Sequence, residues 1–254
     1  MHSQEDLKRP YREQRDFVLE SLCAFKLPES LMTKSPQSPS VENFLKAVYI
    51  LQQGSNRVST NTLRDVLNIT APSVTDMAQR LVTAGYVDYQ KYQGVILTPT
   101  GEHIALKVIR RHRLIELYLV RELGYALHEV HEEAERLEHA VSDRFIDALA
   151  GRLGDPGFDP HGDPIPAADG TMIPARPLQP LSALAAGDIA TVSQFKTSDP
   201  HMLQHILDRG FTLDSHIEIV SVDPFDGPVM ARINGESRMV GHQVADCILV
   251  QRLT

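Results

Sequence analysis

The chain has no tryptophan and only two cysteines, Cys23 and Cys247. They stand far apart and form no CxxC pair, which argues against a disulfide framework and a zinc ribbon and fits a reducing compartment. No apolar run approaches the roughly 20 residues needed to span a bilayer. The opening Met-His-Ser-Gln-Glu-Asp-Leu-Lys lacks an apolar core, so no signal peptide is expected and the cytoplasm is the expected location. Serine-hydrolase, phosphate-loop and dinucleotide-binding motifs are absent. The zincin motif also fails, because Glu135 stands at the fourth position after His131, where that motif needs a second histidine. Common hydrolase and nucleotide chemistries are therefore poor readings of this chain.

What is present is an uneven distribution of charge. The whole chain carries a net −8. Residues 1–40 are neutral, with six basic and six acidic groups. Residues 41–113 hold nine basic against five acidic groups, net +4. Residues 114–254 hold 10 basic against 22 acidic groups, net −12. A basic module followed by an acidic one suits DNA at one end and cations at the other.

The periodicity divides the chain further. Residues 1–39 read as a helix over 5–27 followed by a Pro/Ser-rich linker. From an expected N-cap at Ser40, the apolar residues Val41, Phe44, Leu45 and Val48 predict a helix. A second helix carries Leu63, Val66 and Leu67. Asn68-Ile69-Thr70 is the turn, and a third helix begins at Ala71-Pro72-Ser73. Alternating stretches at 86–89 and 95–97 read as a hairpin. Helix, helix, turn, helix, hairpin over residues 40–101 is the order of a winged helix-turn-helix. Residues 102–154 predict two long helices, to about Leu123 and from about Leu127 to Leu153, which suits dimerisation. A Pro/Gly linker occupies 155–180. Short alternating runs over 181–254, interrupted by a helix at 200–209, predict a small β-barrel. The expected class is mainly α with β.

The chemistry concentrates in the second domain. On one continuous helix His131, Glu135, Glu138 and His139 would share a face, being spaced 0, 4, 7 and 8 residues apart. The preceding helix offers His112 and Glu116, four apart. Imidazole and carboxylate together suit manganese, iron, cobalt or zinc. Glu129, Glu132 and Glu133 read as a solvated face.

These residues carry a resemblance. The stretch Val41-Glu42-Asn43-Phe44-Leu45-Lys46, the segment Thr70-Ala71-Pro72-Ser73-Val74-Thr75, Arg111-His112-Arg113-Leu114-Ile115-Glu116, the His131 to His139 run and Gly162-Asp163-Pro164-Ile165-Pro166 are similar to the metal-dependent repressors that include the diphtheria toxin repressor and the manganese transport regulators. The resemblance covers about residues 40–254. It implies an SH3-like C-terminal barrel and two metal sites per subunit. Glu135, Glu138 and His139, with Asn43 from the first winged-domain helix, match the regulatory site. His112, Glu116 and His131 match the second site, to which Asp199 would add a barrel-domain ligand, with His201 and His205 as nearby candidates. Met202 stands where the family has Gln. Asn43 stands where the family has Met or Asp. A glutamate at 135, where iron-type members carry Cys, implies Mn(II) first and Fe(II) second. The resemblance also implies a homodimer on palindromic double-stranded operator DNA, repressing metal-uptake genes, with no membrane or small organic substrate as partner. Thr70, Pro72, Ser73, Thr75 and Asp76 are the expected base-facing residues, with Arg80 and Lys91 on phosphate. For Ser73 and Thr75, helix capping competes with DNA contact. A metalloenzyme or metal buffer using the same cluster is the alternative from another class, and a regulator sensing an organic ligand is a third reading.

Overall fold

The structure is a computed structural model that describes residues 38–52, 56–174 and 176–253. The helix expected over residues 5–27 lies outside them. Helix α1 is Pro39–Leu51, and Ser38 at its cap makes no side-chain bond. The expected cap at Ser40 is therefore corrected. Pro39 starts the helix because its fixed φ suits the first turn and its missing N–H costs nothing there. Helix α2 (Thr60–Leu67) is capped by the Ser59 side chain, which accepts from Thr62 N–H, and ends at Asn68 with φ 51°. Helix α3 (Ala71–Thr83) is capped by Thr70, which accepts from Ser73 N–H. Strands β1 (Val87–Gln90) and β2 (Gly94–Leu97) pair antiparallel, with Val87 opposite Leu97. Phe44, Leu45, Leu63, Val74, Leu81 and Val95 form the core beneath them. This is the winged helix-turn-helix arrangement.

Helix α4 (Pro99–Leu123) runs 25 residues from a Thr98 cap to Gly124, where φ is +72°. Gly101 is required at its start, since a Cβ there would lie 1.9 Å from the Tyr86 carbonyl oxygen. Helix α1 lies along α4. The second long helix of the sequence reading is in fact two, α5 (Val130–Leu137) and α6 (Asp143–Arg152). The break follows from Ser142, whose side chain accepts from Phe145 N–H and starts a fresh helix with Asp143 in its first turn. Glu138 and His139 thus sit in the turn after α5, not on a helical face. Leu114, Val130, Ala134, Ile146 and Leu149 pack together, joined by Ile165.

The segment after α6 is a packed strap. Asp159 Oδ1 accepts from the N–H groups of His161 and Asp163, at 2.8 and 2.9 Å. Arg110 donates to the Pro166 carbonyl and Arg113 to that of Pro164. Beyond it come β3 (Gln179–Pro180), β4 (Ile189–Phe195), helix α7 (Pro200–Asp208), β5 (His216–Val222), β6 (Val229–Ile233), β7 (Glu236–Val240), helix α8 (His242–Asp246) and β8 (Ile248–Leu253). The six strands form one antiparallel sheet in the order β3-β8-β4-β5-β6-β7. Register shifts in β4 and β5 bend it around Val192, Phe195, Ile206, Phe211, Ile219 and Ile248. It is the small SH3-like barrel that the alternation predicts. The short β3 and α8 escaped the sequence reading. Among the described residues no helix is long and apolar enough to cross a membrane.

Candidate metal centre

Three elements converge where α1 crosses α4. Helix α4 contributes His112 and Glu116, almost fully buried at 6% and 2% exposure. Helix α5 and its following turn contribute His131, Glu135, Glu138 and His139. Helix α1 contributes two buried charged residues that sequence reasoning passed over, Glu42 and Lys46. A charged residue at helical spacing among apolar neighbours was the available signal.

His112 faces two ways. Its Nδ1 lies 2.6 Å from Glu138 Oε2, and its Nε2 lies 3.0 Å from Glu116 Oε1 and 3.1 Å from His131 Nδ1. His131 Nδ1 is 3.3 Å from the same Glu116 oxygen. Two donor groups result, His112–Glu116–His131 and His112–Glu135–Glu138, each with its ligand atoms within 4.8 Å. Predicted residues of both sites are thus brought together, with His112 common to the two.

Lys46 Nζ sits inside the second of these groups. It is 2.7 Å from Glu135 Oε1, 2.9 Å from Glu138 Oε2 and 3.2 Å from His112 Nδ1. Glu42 accepts from His139 Nδ1 at 2.5 Å and from Arg111 Nη1 at 3.3 Å. Glu42, rather than Asn43, is thus the α1 residue in contact with His139. Asn43 Oδ1 and His139 Nε2 are buried without a hydrogen-bond partner. His139 Nε2 lies 3.4 Å from Glu138 Oε1 but without bonding geometry. An orphaned buried acceptor costs about 1–3 kcal/mol. A cation would engage both atoms, so this donor set fits a divalent ion.

The electrostatics follow from burial and pairing. Burial opposes charge on His112, but hydrogen bonds to Glu116 and Glu138 outweigh it and raise its pKa to about 9. Burial likewise disfavours ionised Glu116, yet its bonds to His112, His131 and His161 hold it far below the carboxylate range. Glu135 is lowered despite burial, by Lys46.

The barrel side is less complete. Asp199 faces the same cavity of about 170 Å³ as His112, Glu116 and His131. It caps α7 by accepting from His201 and Met202 N–H and joins none of the donor groups. Met202 packs on the barrel core, His201 is exposed and His205 accepts from Arg209.

The chain matches the N-terminal DNA binding domain of iron dependent repressors over residues 37–95 and their metal binding and dimerisation domain over 98–167. A FeoA domain matches 179–252. The HTH-type transcriptional regulator MntR of Lysinibacillus sphaericus is 33% identical over 113 residues, 44% of this chain and 81% of that protein. The diphtheria toxin repressor of Corynebacterium glutamicum is 26% identical over 223 residues, 84% of this chain and 96% of that one. A solved manganese-dependent transcriptional repressor in complex with manganese superposes with a TM-score of 0.78 at 39% identity, covering 84% of this chain and 100% of that one. The chain belongs to the iron-dependent repressor family, that of the diphtheria toxin repressor and MntR. It is a metal-dependent transcriptional regulator, and that membership disfavours the metalloenzyme and metal-buffer readings.

In such a regulator the start of α3 is the element to inspect for DNA. Pro72, Ser73, Asp76 and Arg80 are exposed there. Thr70 and Ser73 are also engaged in the cap, their hydroxyl oxygens 2.8 Å apart. Thr75 donates to the Ala71 carbonyl of its own helix and is half-buried, so its hydroxyl is not presented outward. Lys91 is exposed at the hairpin turn, 5.0 Å from the ring centre of Tyr92. Tyr92 is 93% exposed with φ 68°. This wing-tip aromatic was missed because a hairpin loop gives no amphipathic signal.

Proposed function

We propose that the chain is a cytoplasmic, Mn(II)-responsive homodimeric repressor of metal-uptake genes, with Fe(II) as the second candidate metal. The observation that carries this is the meeting of α1, which belongs to the DNA-reading module, with the imidazoles and carboxylates of α4 and α5. Lys46 reaches Glu135 and Glu138, and Glu42 reaches His139. Mn(II), when bound, supplies a dense positive charge that a Glu-rich, thiolate-free donor set accepts. The residues that would hold it are Glu135, Glu138 and His139 with Asn43 Oδ1 at one site, and His112, Glu116 and His131 at the other.

The mechanism is a shift of population. Lys46 holds the acidic groups together as an internal cation. Loading the regulatory site requires its ammonium to withdraw from Glu135 and Glu138, so Lys46 sets the metal threshold. Asn43 then ties α1 to the turn after α5, which fixes the reading module against the helical domain. In a two-fold dimer that angle sets the spacing of two α3 helices over successive major grooves of a palindromic operator. Differential affinity for the DNA-competent state is the only source of such a bias. Capture of genomic fragments in Mn(II), Fe(II) and chelator tests the reading. Selective enrichment of upstream regions of metal-uptake genes is expected with metal and none with chelator. Glu138→Ala is expected to abolish the difference, and metal-independent capture by that variant would refute the site.

A further inference from the structure

The strap between the helical domain and the barrel places a third set of metal donors beside the two already described. Glu116 directs Oε1 at His112 and His131, while its other oxygen, Oε2, faces His161 Nδ1 at 3.6 Å. Asp159 completes the group: one donor atom from each of Glu116, Asp159 and His161 lies within 4.8 Å of the others. All three are buried, at 2%, 5% and 8% exposure. First-row divalent ions hold nitrogen and oxygen donors at roughly 2.0–2.2 Å, so donors around one ion lie roughly 3–4.5 Å apart. The spacing seen here fits with little movement. The local charge fits as well. Glu116, Asp159 and Asp163 face one guanidinium, that of Arg113, 3.6 Å from Asp159 and 3.3 Å from Asp163. With a neutral imidazole the set carries an excess of negative charge, which suits a divalent cation.

The strap is built to present His161. Its N–H is tied to Asp159 and its carbonyl accepts from Phe195 N–H of β4 at 2.8 Å. Gly162 follows with φ +90°, and a Cβ there would lie 2.1 Å from the Ser193 carbonyl oxygen. The backbone of residue 161 is therefore pinned to the barrel while its side chain faces α4.

We propose that His161 is a metal ligand, holding through Nδ1 a divalent cation shared with Glu116 Oε2 and Asp159, so that the strap itself forms a metal site. The inference rests on the reading of the neighbouring groups as metal sites. Its consequence is that cation binding fastens the barrel to the helical domain through two consecutive contacts, Glu116 to His161 and His161 to Phe195.

Equilibrium dialysis of the full chain against Mn(II), with pulsed EPR of the bound ion, tests it. His161→Phe keeps the ring but removes the donor. It is expected to bind one equivalent of Mn(II) fewer than the parent and to lose one imidazole ¹⁴N coupling, with its circular dichroism unchanged. His161→Glu returns an oxygen donor and is expected to recover the equivalent. Equal stoichiometry and equal couplings in the parent and His161→Phe would overturn this inference alone. So would loss of the equivalent in both variants, which would mark a structural effect. A parent that binds no Mn(II) would overturn the reading of the whole centre, and this site with it.

Discussion

Lys46 is the residue on which the centre balances. Its ammonium is the nearest cation to Glu138, whose side chain is fully buried. Removing one partner of a buried pair strands the other charge, at a cost of about 3–5 kcal/mol. Lys46→Met is therefore expected to lower the unfolding midpoint in chelator by roughly 6–12 °C. Added Mn(II) is expected to stabilise the variant more than the parent, because the internal competitor is gone. Calorimetry with and without metal checks both outcomes, and equal metal-induced shifts would remove Lys46 from the mechanism. His112 adds a pH dependence. Its pKa is raised to about 9, so the metal-free fold gains from its proton below about pH 6.5 and loses that gain as pH rises through about 9. Asp159, pushed up to about 7 by burial and by Asp163 and Glu116, acts in the same direction. The metal-free protein is thus expected to weaken from pH 6 to 9. Metal must expel the His112 proton, so apparent Mn(II) affinity is expected to rise over the same window, by up to about tenfold per pH unit. Denaturant titrations and metal titrations across that range read the two opposed slopes.

The elements show what was legible in the chain and what was not. The helices α1 to α4, the wing hairpin, α7 and β5 to β7 follow the periodicity closely, since each buries one apolar face. The break between α5 and α6 was also written in the chain, as Ser142-Asp143, but continuous apolar spacing masked it. The six expected imidazole and carboxylate residues do gather, yet their partners could not be read. Glu42 and Lys46 look like the solvated side of α1 until α4 is laid across it, and which charged face is covered is a tertiary property. His161 was hidden for the same reason, because a strap without periodicity gives no face to assign. Gly162 is where the strap depends on one atom. Gly162→Ala meets both a left-handed φ of +90° and the Ser193 carbonyl. It is expected to cost more than about 1 kcal/mol and to raise amide exchange at Phe195 and Asp163. Unchanged protection there would mean that the strap is not held to the barrel through this glycine.

At the scale of the whole molecule, a chain of net −8 must approach a polyanion. It does so through residues 41–113, which carry net +4, while the acidic remainder concentrates the carboxylates that collect cations. The same division makes metal and DNA cooperate electrostatically: each bound divalent ion reduces the long-range repulsion between the acidic half and the operator. Metal should therefore act on DNA affinity in two separable ways, by fixing α3 and by lowering net charge. The first is insensitive to salt and the second is screened within about 10 Å at 0.1 M salt. Lys91 and Arg80 contribute directly to the phosphate term, and replacing Lys91 with Ala is expected to reduce the slope of log affinity against log salt by about one per subunit. The Mn(II)-dependent gain in affinity is expected to shrink with salt but to level off at a finite value above roughly 0.3 M, the part owed to geometry. Fluorescence anisotropy on a captured operator fragment over a salt series, with Mn(II) and with chelator, measures both. A metal-dependent gain that vanished at high salt would mean that the cation only neutralises charge and that α1 is not an orienting link.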